Sequence, residues 1–221
     1  MFRLYHAPFS PFCRKVRLVL SEKKLEFELI EEKYWEKRSD FLILNPSGQV
    51  PVLQNKNITL AESSAICEYL NEKHPVSELL PVDPEGRAEA RRLMFWFDDK
   101  FNREVTRKLF YERITKKIIG GGFPEAKKVK SGMLNIKFHI DYMSKLLENR
   151  KWLAGNDMSL ADFTAAAHFS VLDYSCDVDW DRSSLVKDWY AKIKSRPAFR
   201  SLLTDHLPGF PQPIHYVDLD F

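Results

Sequence analysis

A hydroxyl and a thiol lie three residues apart in the stretch FSPFCRKVRL, at a point where a helix is predicted to begin; they belong to Ser10 and Cys13. The N-terminus of a helix offers unpaired backbone N–H groups and the positive end of the helix dipole, so it stabilises anions such as a thiolate. Lowering the pKa of a free thiol from about 8.5 to about 6.5 requires about 2.7 kcal/mol. One hydrogen bond to a charged acceptor contributes about 1.5–3 kcal/mol. Ser10 is therefore a candidate to donate that bond to a bound thiol, and Cys13 is a second catalytic candidate.

The same residues also have a structural interpretation. Serine is a preferred N-cap residue, and a proline such as Pro11 suits the first helical turn. A free cysteine is commonly a small buried residue. The S-P-x-C spacing alone favours neither the thiol-handling interpretation nor the structural one.

The segment around Ser10 is predicted to belong to a small α/β domain. Residues 1–6 alternate as a strand does, and apolar residues at helical spacing follow Pro11. A second strand, a short helix that ends before Pro46, a hairpin and a further helix that ends before Pro75 complete the order β-α-β-α-β-β-α. We expect an open sheet with helices packed on it over residues 1–75.

The remainder of the chain is predicted to be helical. A proline-rich linker over residues 76–84 leads to an all-helical domain over 85–205. Its first part, 85–117, is one long helix or a kinked pair that the glycines at 120–122 must end. A tail over 206–221 contains three prolines, which prevent regular helix, and is expected to be extended.

The clearest helix start in the chain carries a folding signal. Ser159 and Asp162 have the N-cap and N3 spacing of a capping box, and Met158 and Phe163 occupy the positions of a hydrophobic staple. A cap contributes about 1 kcal/mol to stability. We therefore assign Asp162 to folding and not to catalysis.

Composition and charge favour some classes of protein over others. There are 34 Lys and Arg residues against 31 Asp and Glu, so no bulk field favours nucleic acid or an anionic membrane as the main partner. The N-terminus has no signal-peptide pattern and no apolar run is long enough to span a bilayer, which predicts a cytoplasmic protein without direct membrane insertion. Three widely spaced cysteines fit reduced thiols, and no spacing of histidines with them predicts a metal site.

Several motifs together resemble the glutathione-transferase superfamily. They are SPFC after the first strand, NPSGQVPVL, LAESSAICEYL, the proline-rich linker and WLAGNDMSLADF, and they occur in the superfamily's order. The resemblance covers nearly all of the chain. It implies an α/β thioredoxin-like N-terminal domain, an all-α C-terminal domain and usually a C2 homodimer.

The resemblance also implies roles for single residues. Ser10 matches the position that activates the glutathione thiol, Pro51 matches a cis-proline, and Val50 matches the residue whose backbone pairs with the cysteinyl unit of glutathione. Glu62 and Ser63 match the pair that holds the γ-glutamyl end, although a helix cap and its flank explain them equally well. Glutathione is thus implied as a possible substrate, and no cofactor is required. The predicted glutathione-binding residues are Gln49, Val50, Pro51, Glu62 and Ser63.

One branch of the superfamily is more similar still. Its members are glutathione-transferase-like proteins of alphaproteobacteria that bind the tubulin-like division protein FtsZ. The stretches FCRKVRLVLSEKKLEFEL and WFDDKFNREVTRKL, and above all the ending PGFPQPIHYVDLDF, resemble that branch. The resemblance implies FtsZ filaments as the partner, weak or absent glutathione chemistry, and action at the division site.

Two parts of the chain are predicted to contact such a partner. The tail spaces its side chains along an extended segment, which suits pocket-by-pocket recognition, although a strap over the protein's own surface fits the pattern nearly as well. The long helix carries a basic face, which either is solvated or meets an acidic partner. The predicted contact residues are Arg107, Lys108, His215, Tyr216, Asp218, Leu219, Asp220 and Phe221.

Three functions stay open on the sequence alone. The first is a dimeric regulator of cell division that binds FtsZ. The second is a glutathione S-transferase that conjugates glutathione to electrophilic small molecules, with Ser10 stabilising the thiolate. The third is a non-enzymatic transcription partner built on the same fold. The retained Ser10, Pro51, Glu62 and Ser63 keep catalysis open, and a shared fold does not decide function.

Overall fold

The N-terminal part of the chain folds around a four-stranded mixed sheet. A computed structural model describes residues 1–219. Its strands are β1 (Phe2–His6), β2 (Phe27–Glu31), β3 (Val52–Gln54) and β4 (Thr59–Ala61). Their order in the sheet is β2-β1-β3-β4, with β1 and β2 parallel and the other neighbours antiparallel. Leu4 of β1 lies in register between Leu29 and Leu53, so apolar residues run across the middle of the sheet.

Three helices accompany the sheet: α1 (Pro11–Glu22), α2 (Ser39–Leu44) and α3 (Ser63–Lys73). A short 3₁₀ turn, Tyr34–Glu36, precedes α2. The helix α1 connects the parallel strands β1 and β2, as a parallel pair requires. The predicted order of elements and the predicted fold class are confirmed.

The rest of the chain is predominantly helical. The helix α4 (Pro84–Phe95) continues into a π-helical segment (Trp96–Thr115) and α5 (Lys116–Ile118). The chain then turns at Gly120 and Gly122, whose φ angles of +72° and +90° lie in the left-handed region that favours glycine. The helices that follow are α6 (Ala126–Leu147), α7 (Leu160–Tyr174), α8 (Ser184–Lys194), α9 (Arg200–Leu203) and α10 (Ile214–Val217).

The helix α7 lies at the centre of the fold, because each of its residues is buried. It packs against α1 of the sheet domain and against α4 and the π-helical segment. The predicted capping box forms at its start, between Ser159 and Asp162. At Gly132 of α6 an added Cβ would lie 2.8 Å from the Leu109 side chain, so a glycine lets α6 approach the π-helical segment closely.

The tail differs from its prediction. Leu207 and Phe210 form an isolated antiparallel bridge, and the hydroxyl of Tyr174 donates a hydrogen bond to the Phe210 carbonyl at 2.7 Å. Residues Ile214–Val217 then form a single helical turn directly after Pro213. Proline prevents helix at its own position but is tolerated just before a helix, so the expectation of an extended tail is wrong for this segment.

Candidate functional site

Ser10 lies at the corner between β1 and α1 and is the N-cap of that helix. Its hydroxyl oxygen accepts a hydrogen bond from the backbone N–H of Cys13 at 3.4 Å, and Pro11 is the first helical residue. The side chain is half-buried. Because the oxygen is the acceptor in this cap, the hydroxyl hydrogen stays available to a ligand at the helix N-terminus. The geometry accommodates both interpretations of Ser10.

Cys13 is not a reactive thiol. Its side chain is fully buried in a cluster with Phe41, Val50 and Val52. Burial raises the pKa of the thiol to about 11, and the hydrogen bond with Ser10 only partly offsets this effect. Such a thiol is protonated at neutral pH, whereas the thiolate is the nucleophile. The catalytic prediction for Cys13 is therefore wrong, and the residue has the structural role that the sequence left as its alternative.

The loop before β3 forms the second part of the predicted site. The peptide bond between Val50 and Pro51 is cis, as the resemblance implies. Val50 shares the buried cluster of Cys13, which brings this loop next to the start of α1. Gln49 is exposed, and its carbonyl accepts a hydrogen bond from Asn45 Nδ2 at 2.8 Å. The backbone of residues 49–51 is thereby held beside the helix start that carries the serine.

The start of α3 forms the third part of the site. Glu62, the N-cap residue, is exposed, has a φ of +69° and makes no side-chain capping bond. Ser63, the first helical residue, is buried. The N–H groups of this first turn have no side-chain cap, so the helix end favours a bound anion. A non-glycine residue at positive φ costs about 1–3 kcal/mol and is often found at binding sites.

A buried ionic cluster that the sequence analysis missed fastens α3 to the helical domain. Lys15 of α1 forms an ion pair with Asp98 of the π-helical segment, and Ser64 Oγ donates a hydrogen bond to Asp98 Oδ2 at 3.0 Å. Burial opposes the charge of Asp98, but Lys15 and His168 lower the pKa of the carboxyl to about 2. Ser64 directly follows Ser63, so this cluster holds the anion-favouring end of α3 in position.

Two arginines of α1 hold the C-terminal segment, and the sequence analysis missed them too. Arg14 and Arg17 are buried and share Asp205, whose Oδ2 lies 3.0 Å from Arg14 Nη2 and 2.8 Å from Arg17 Nη1. Arg14 Nε also donates a hydrogen bond to the Pro8 carbonyl at 2.8 Å, and its guanidinium lies 4.1 Å from the centre of the Phe9 ring. Arg14 therefore contacts both the loop that leads into α1 and Asp205 of the C-terminal segment.

The C-terminal tail is folded onto the protein's own surface. Tyr216 is fully buried, and its hydroxyl accepts a hydrogen bond from Arg14 Nη1 at 2.9 Å and donates one to the Leu202 carbonyl at 3.1 Å. His215 Nε2 lies 3.2 Å from Asp173 Oδ1, and this contact raises the pKa of the imidazole. His215 and Tyr216 therefore belong to a strap that packs on the protein's own surface, the alternative that the sequence left open. The prediction that Tyr216 contacts a partner is wrong, because its ring and hydroxyl are enclosed within the chain.

The residues beyond α10 differ in accessibility from Tyr216. Asp218 is exposed and Leu219 is half-buried. Asp220 and Phe221, which the sequence also predicts as contacts, lie outside the described residues. Of the predicted contacts after Tyr216, Asp218 and Leu219 therefore lie in the described part of the chain.

Arg107 and Lys108 lie on different sides of the π-helical segment. Arg107 is exposed, with its guanidinium 5.9 Å from the centre of the Tyr111 ring, whereas Lys108 Nζ donates a hydrogen bond to Ser131 Oγ of α6 at 3.0 Å. The two residues therefore do not form one basic patch. Most other basic residues of the predicted face have a carboxylate partner within the chain: Arg91, Arg92, Lys100, Arg103 and Arg113.

Metal-binding and membrane-spanning features were searched over residues 1–219. In that range no group of three or more histidine, cysteine, aspartate or glutamate side chains is placed to hold a metal ion. Nor does any helix of this part of the chain combine the length and the apolar character that crossing a bilayer requires.

The fold and the site together define a class of protein. A thioredoxin-like α/β domain precedes a helical domain, and the starts of α1 and α3 flank a cis-proline loop. The family models for the N-terminal and C-terminal domains of glutathione S-transferases match residues 9–73 and 122–205. The chain belongs to the glutathione S-transferase family.

Individual relatives show how similar the chain is to other members. It is 46% identical to FtsZ-localized protein A of Caulobacter vibrioides, over 99% of this chain and 97% of that protein. The crystal structure of a glutathione S-transferase from Rhodospirillum rubrum has a TM-score of 0.97 and 47% identity, with 100% of both chains covered. The structure of FzlA from C. crescentus has a TM-score of 0.96 and 45% identity, and covers 100% of this chain and 99% of that one. Similarity therefore extends along the whole chain, including the tail.

Proposed function

We propose that this protein binds FtsZ filaments and regulates bacterial cell division as a C2 homodimer in the cytoplasm, at the division site. The observation that carries the proposal is the anchored tail. Its sequence resembles the FtsZ-binding branch, and a relative 46% identical over nearly the whole chain is named for its localisation with FtsZ. The buried contact of Tyr216 with Arg14 holds the tail in place up to α10. A preorganised segment loses less conformational entropy on binding than a free one.

The proposed contacts in the tail come before and after Tyr216 in the sequence, and two more lie on the π-helical segment. Asp218 and Leu219 would supply acidic and apolar contacts to the filament, and Asp220 and Phe221 stay predicted contacts outside the described residues. Arg107 and Lys108 stay proposed contacts, although they lie on different sides of the π-helical segment. His215 is 38% exposed and can touch a partner at the edge of its contact with Asp173.

A homodimer would strengthen weak contacts of this kind, because two linked sites on one filament bind with a raised effective concentration. Exposed hydrophobic side chains are available away from the tail, among them Ile43 on α2 and Phe95 on α4, which are 82% and 70% exposed. Light scattering of the purified protein should give the mass of a dimer.

Glutathione chemistry is proposed to be weak or absent. Tyr34 packs against the buried cluster of Cys13 and Val50, and its ring lies 5.2 Å from that of Trp35. Tyr34 thus stands beside the helix start that carries Ser10, with Trp35 packed against Tyr34. They would limit the space in which a thiol and an electrophile could meet.

Co-sedimentation with assembled FtsZ at micromolar concentration tests the proposal. A chain that ends at Val217 loses residues 218–221 but keeps Tyr216, so it should fold and yet bind filaments at least about tenfold more weakly, as loss of a central contact would produce. Arg107→Glu should weaken binding as well. Val82→Ala, at an exposed position away from the tail, is the control and should bind as the wild type does. Wild-type protein that stays in the supernatant at these concentrations would refute the proposal.

A glutathione S-transferase is the second candidate, and the cis-proline loop between the starts of α1 and α3 supports it. We expect conjugation of glutathione to 1-chloro-2,4-dinitrobenzene to stay close to the rate without protein. If a rate is measurable, Ser10→Ala should lower kcat/KM by about 10–100-fold, since it removes a bond of about 1.5–3 kcal/mol to the thiolate. Ser21→Ala, at the other end of α1, is the control. A high rate that depends on Ser10 would establish the enzyme.

A further inference from the structure

The helix α6 presents a row of basic and apolar side chains to solvent. In the loop before it, Phe123 is 92% exposed, and on the helix Leu134 and Phe138 are 61% and 55% exposed. Lysines at helical spacing lie between and beside these residues and are exposed. We call this surface the outer stripe; its members are Phe123, Lys127, Lys130, Leu134, Lys137 and Phe138.

The core contacts of α6 come mainly from the face opposite the outer stripe. The opposite face of α6 carries the core residues Ile136, Ile140 and Met143, which are buried. Polar contacts fix the flanks of the helix: Asn135 Nδ2 donates a hydrogen bond to the Glu104 carbonyl at 3.0 Å, and the hydroxyls of Ser144 and Ser183 lie 3.0 Å apart. The stripe therefore stands on a rigid support, and its exposed Phe and Leu side chains are available to a partner.

The lysines of the outer stripe keep their positive charge available. Within residues 1–219, Lys127, Lys130 and Lys137 have no carboxylate in ion-pair distance, whereas Lys128 between them is paired with Glu112 and Glu125. An acidic surface would complement the three unpaired lysines. Apolar groups on that surface would cover Leu134 and Phe138.

We infer that the outer stripe is a docking surface for an acidic protein surface that also presents apolar side chains. The inference rests on the proposed function, in which this surface belongs to the FtsZ filament. A second copy of the chain fits less well, because symmetric pairing would bring lysines toward lysines. A lipid bilayer also fits less well, because an interfacial helix needs a continuous apolar face, and that of α6 is turned inward.

Two sets of substitutions test the two components of the outer stripe in co-sedimentation with FtsZ polymer. Leu134→Ser with Phe138→Ser removes the apolar component, and Lys127→Glu, Lys130→Glu and Lys137→Glu reverse the charge. Each variant should bind at least about tenfold more weakly than the wild type, as loss of central contacts does. The charge variant should also lose the weakening of binding that added salt causes in the wild type.

Matched controls carry changes of the same kind, apolar to serine and lysine to glutamate, at exposed positions elsewhere. Val76→Ser with Val82→Ser controls for the apolar set, and Lys56→Glu, Lys73→Glu and Lys151→Glu control for the charge set. Circular dichroism must show all variants folded. If the wild type binds FtsZ and both stripe variants bind as tightly as their controls, the inference is overturned while the proposed function stands. If the wild type does not bind at all, the proposed function fails and takes the inference with it.

Two further readouts exclude the other occupants. Flotation with vesicles of phosphatidylglycerol that depends on the outer stripe, together with stripe-independent FtsZ binding, would assign the surface to lipid and overturn the inference. Light scattering that shows the apolar variant as a monomer where the wild type is a dimer would assign it to self-association, with the same consequence. A stripe-dependent loss of FtsZ binding at unchanged mass is the expected result.

Discussion

Replacing Asp205 by alanine should destabilise the protein by about 3–5 kcal/mol, because removing one partner of a buried ion pair leaves the other charge without compensation. In this case one carboxylate serves two guanidinium groups. The side chains of Arg14 and Arg17 are 0% and 2% exposed, and that of Asp205 is 12% exposed. Arg17 binds both carboxylate oxygens, with Nη1 at 2.8 Å from Oδ2 and Nη2 at 3.1 Å from Oδ1. The variant thus leaves two buried cations without their shared carboxylate.

Urea unfolding measures this loss as a lower midpoint at an unchanged m value. Asp205→Asn keeps the volume and one acceptor oxygen, so it should lose less stability than Asp205→Ala. It keeps the test interpretable if the alanine variant does not fold. Asp188→Asn alters an exposed carboxylate on α8 and should change stability by no more than about 0.5 kcal/mol. An Asp205→Ala protein as stable as this control would mean that the two arginines need no counter-charge.

The burial of the α1 arginines shows where sequence patterns stop being informative. The order of strands and helices follows from apolar spacing and proline positions, and the structure confirms it. The same spacing places Arg14, Lys15 and Arg17 among the polar positions of α1, yet all three are buried. Helical periodicity identifies the face that meets the sheet. It does not reveal that the C-terminal segment and the π-helical segment supply carboxylates to the other face, because Asp205 and Asp98 are distant in sequence.

The candidate site was predictable to different degrees for a related reason. The cis bond at Pro51 was correctly predicted because a motif specifies it. The inertness of Cys13 was not, because the pKa of a thiol depends on burial, and burial is set by Phe41 and Val52 on other elements. The tail was predicted as extended because its prolines break regular helix, and the sequence left open whether it meets a partner or lies as a strap on the protein's own surface. Its attachment includes a tyrosine, Tyr216, that fits against the buried Arg14, and a contact of that kind has no periodic signature.

Arg14 connects the start of α1, where the predicted thiol site lies, with the C-terminal tail. Arg14 donates hydrogen bonds to the Pro8 carbonyl, in the loop before Ser10, and to Tyr216 in the tail. Arg14, within the first turn of α1, therefore joins the tail to the loop that leads to Ser10. A chain with this helix start can need Arg14 for the tail whether or not Ser10 acts on a thiol.

We expect Asp162→Ala to lower the free energy of unfolding by as much as Asp205→Ala does. The Asp162 carboxylate is fully buried, and burial raises the pKa of this group. It accepts hydrogen bonds from the backbone N–H groups of Leu153 and Ser159 and from Trp189 Nε1, each at 2.9 Å, and from Ser159 Oγ at 3.1 Å. Alanine leaves these buried donors without an acceptor, at about 1–3 kcal/mol for each unsatisfied group. We expect a total loss of order 4 kcal/mol, measured by urea unfolding.

A graded series separates the helix cap from the wider network. Ser159→Ala removes only the N-cap hydroxyl and should cost about 1 kcal/mol. Asp162→Asn keeps Oδ1 for Leu153 and Trp189 but turns an amide donor toward the Ser159 N–H, so its cost should lie between those of Ser159→Ala and Asp162→Ala. Equal costs for Ser159→Ala and Asp162→Ala would mean that the bonds to Leu153 and Trp189 add nothing. The expected order instead makes Asp162 the point at which the loop before α7, the helix itself and α8 are joined, which is a folding role without catalytic chemistry.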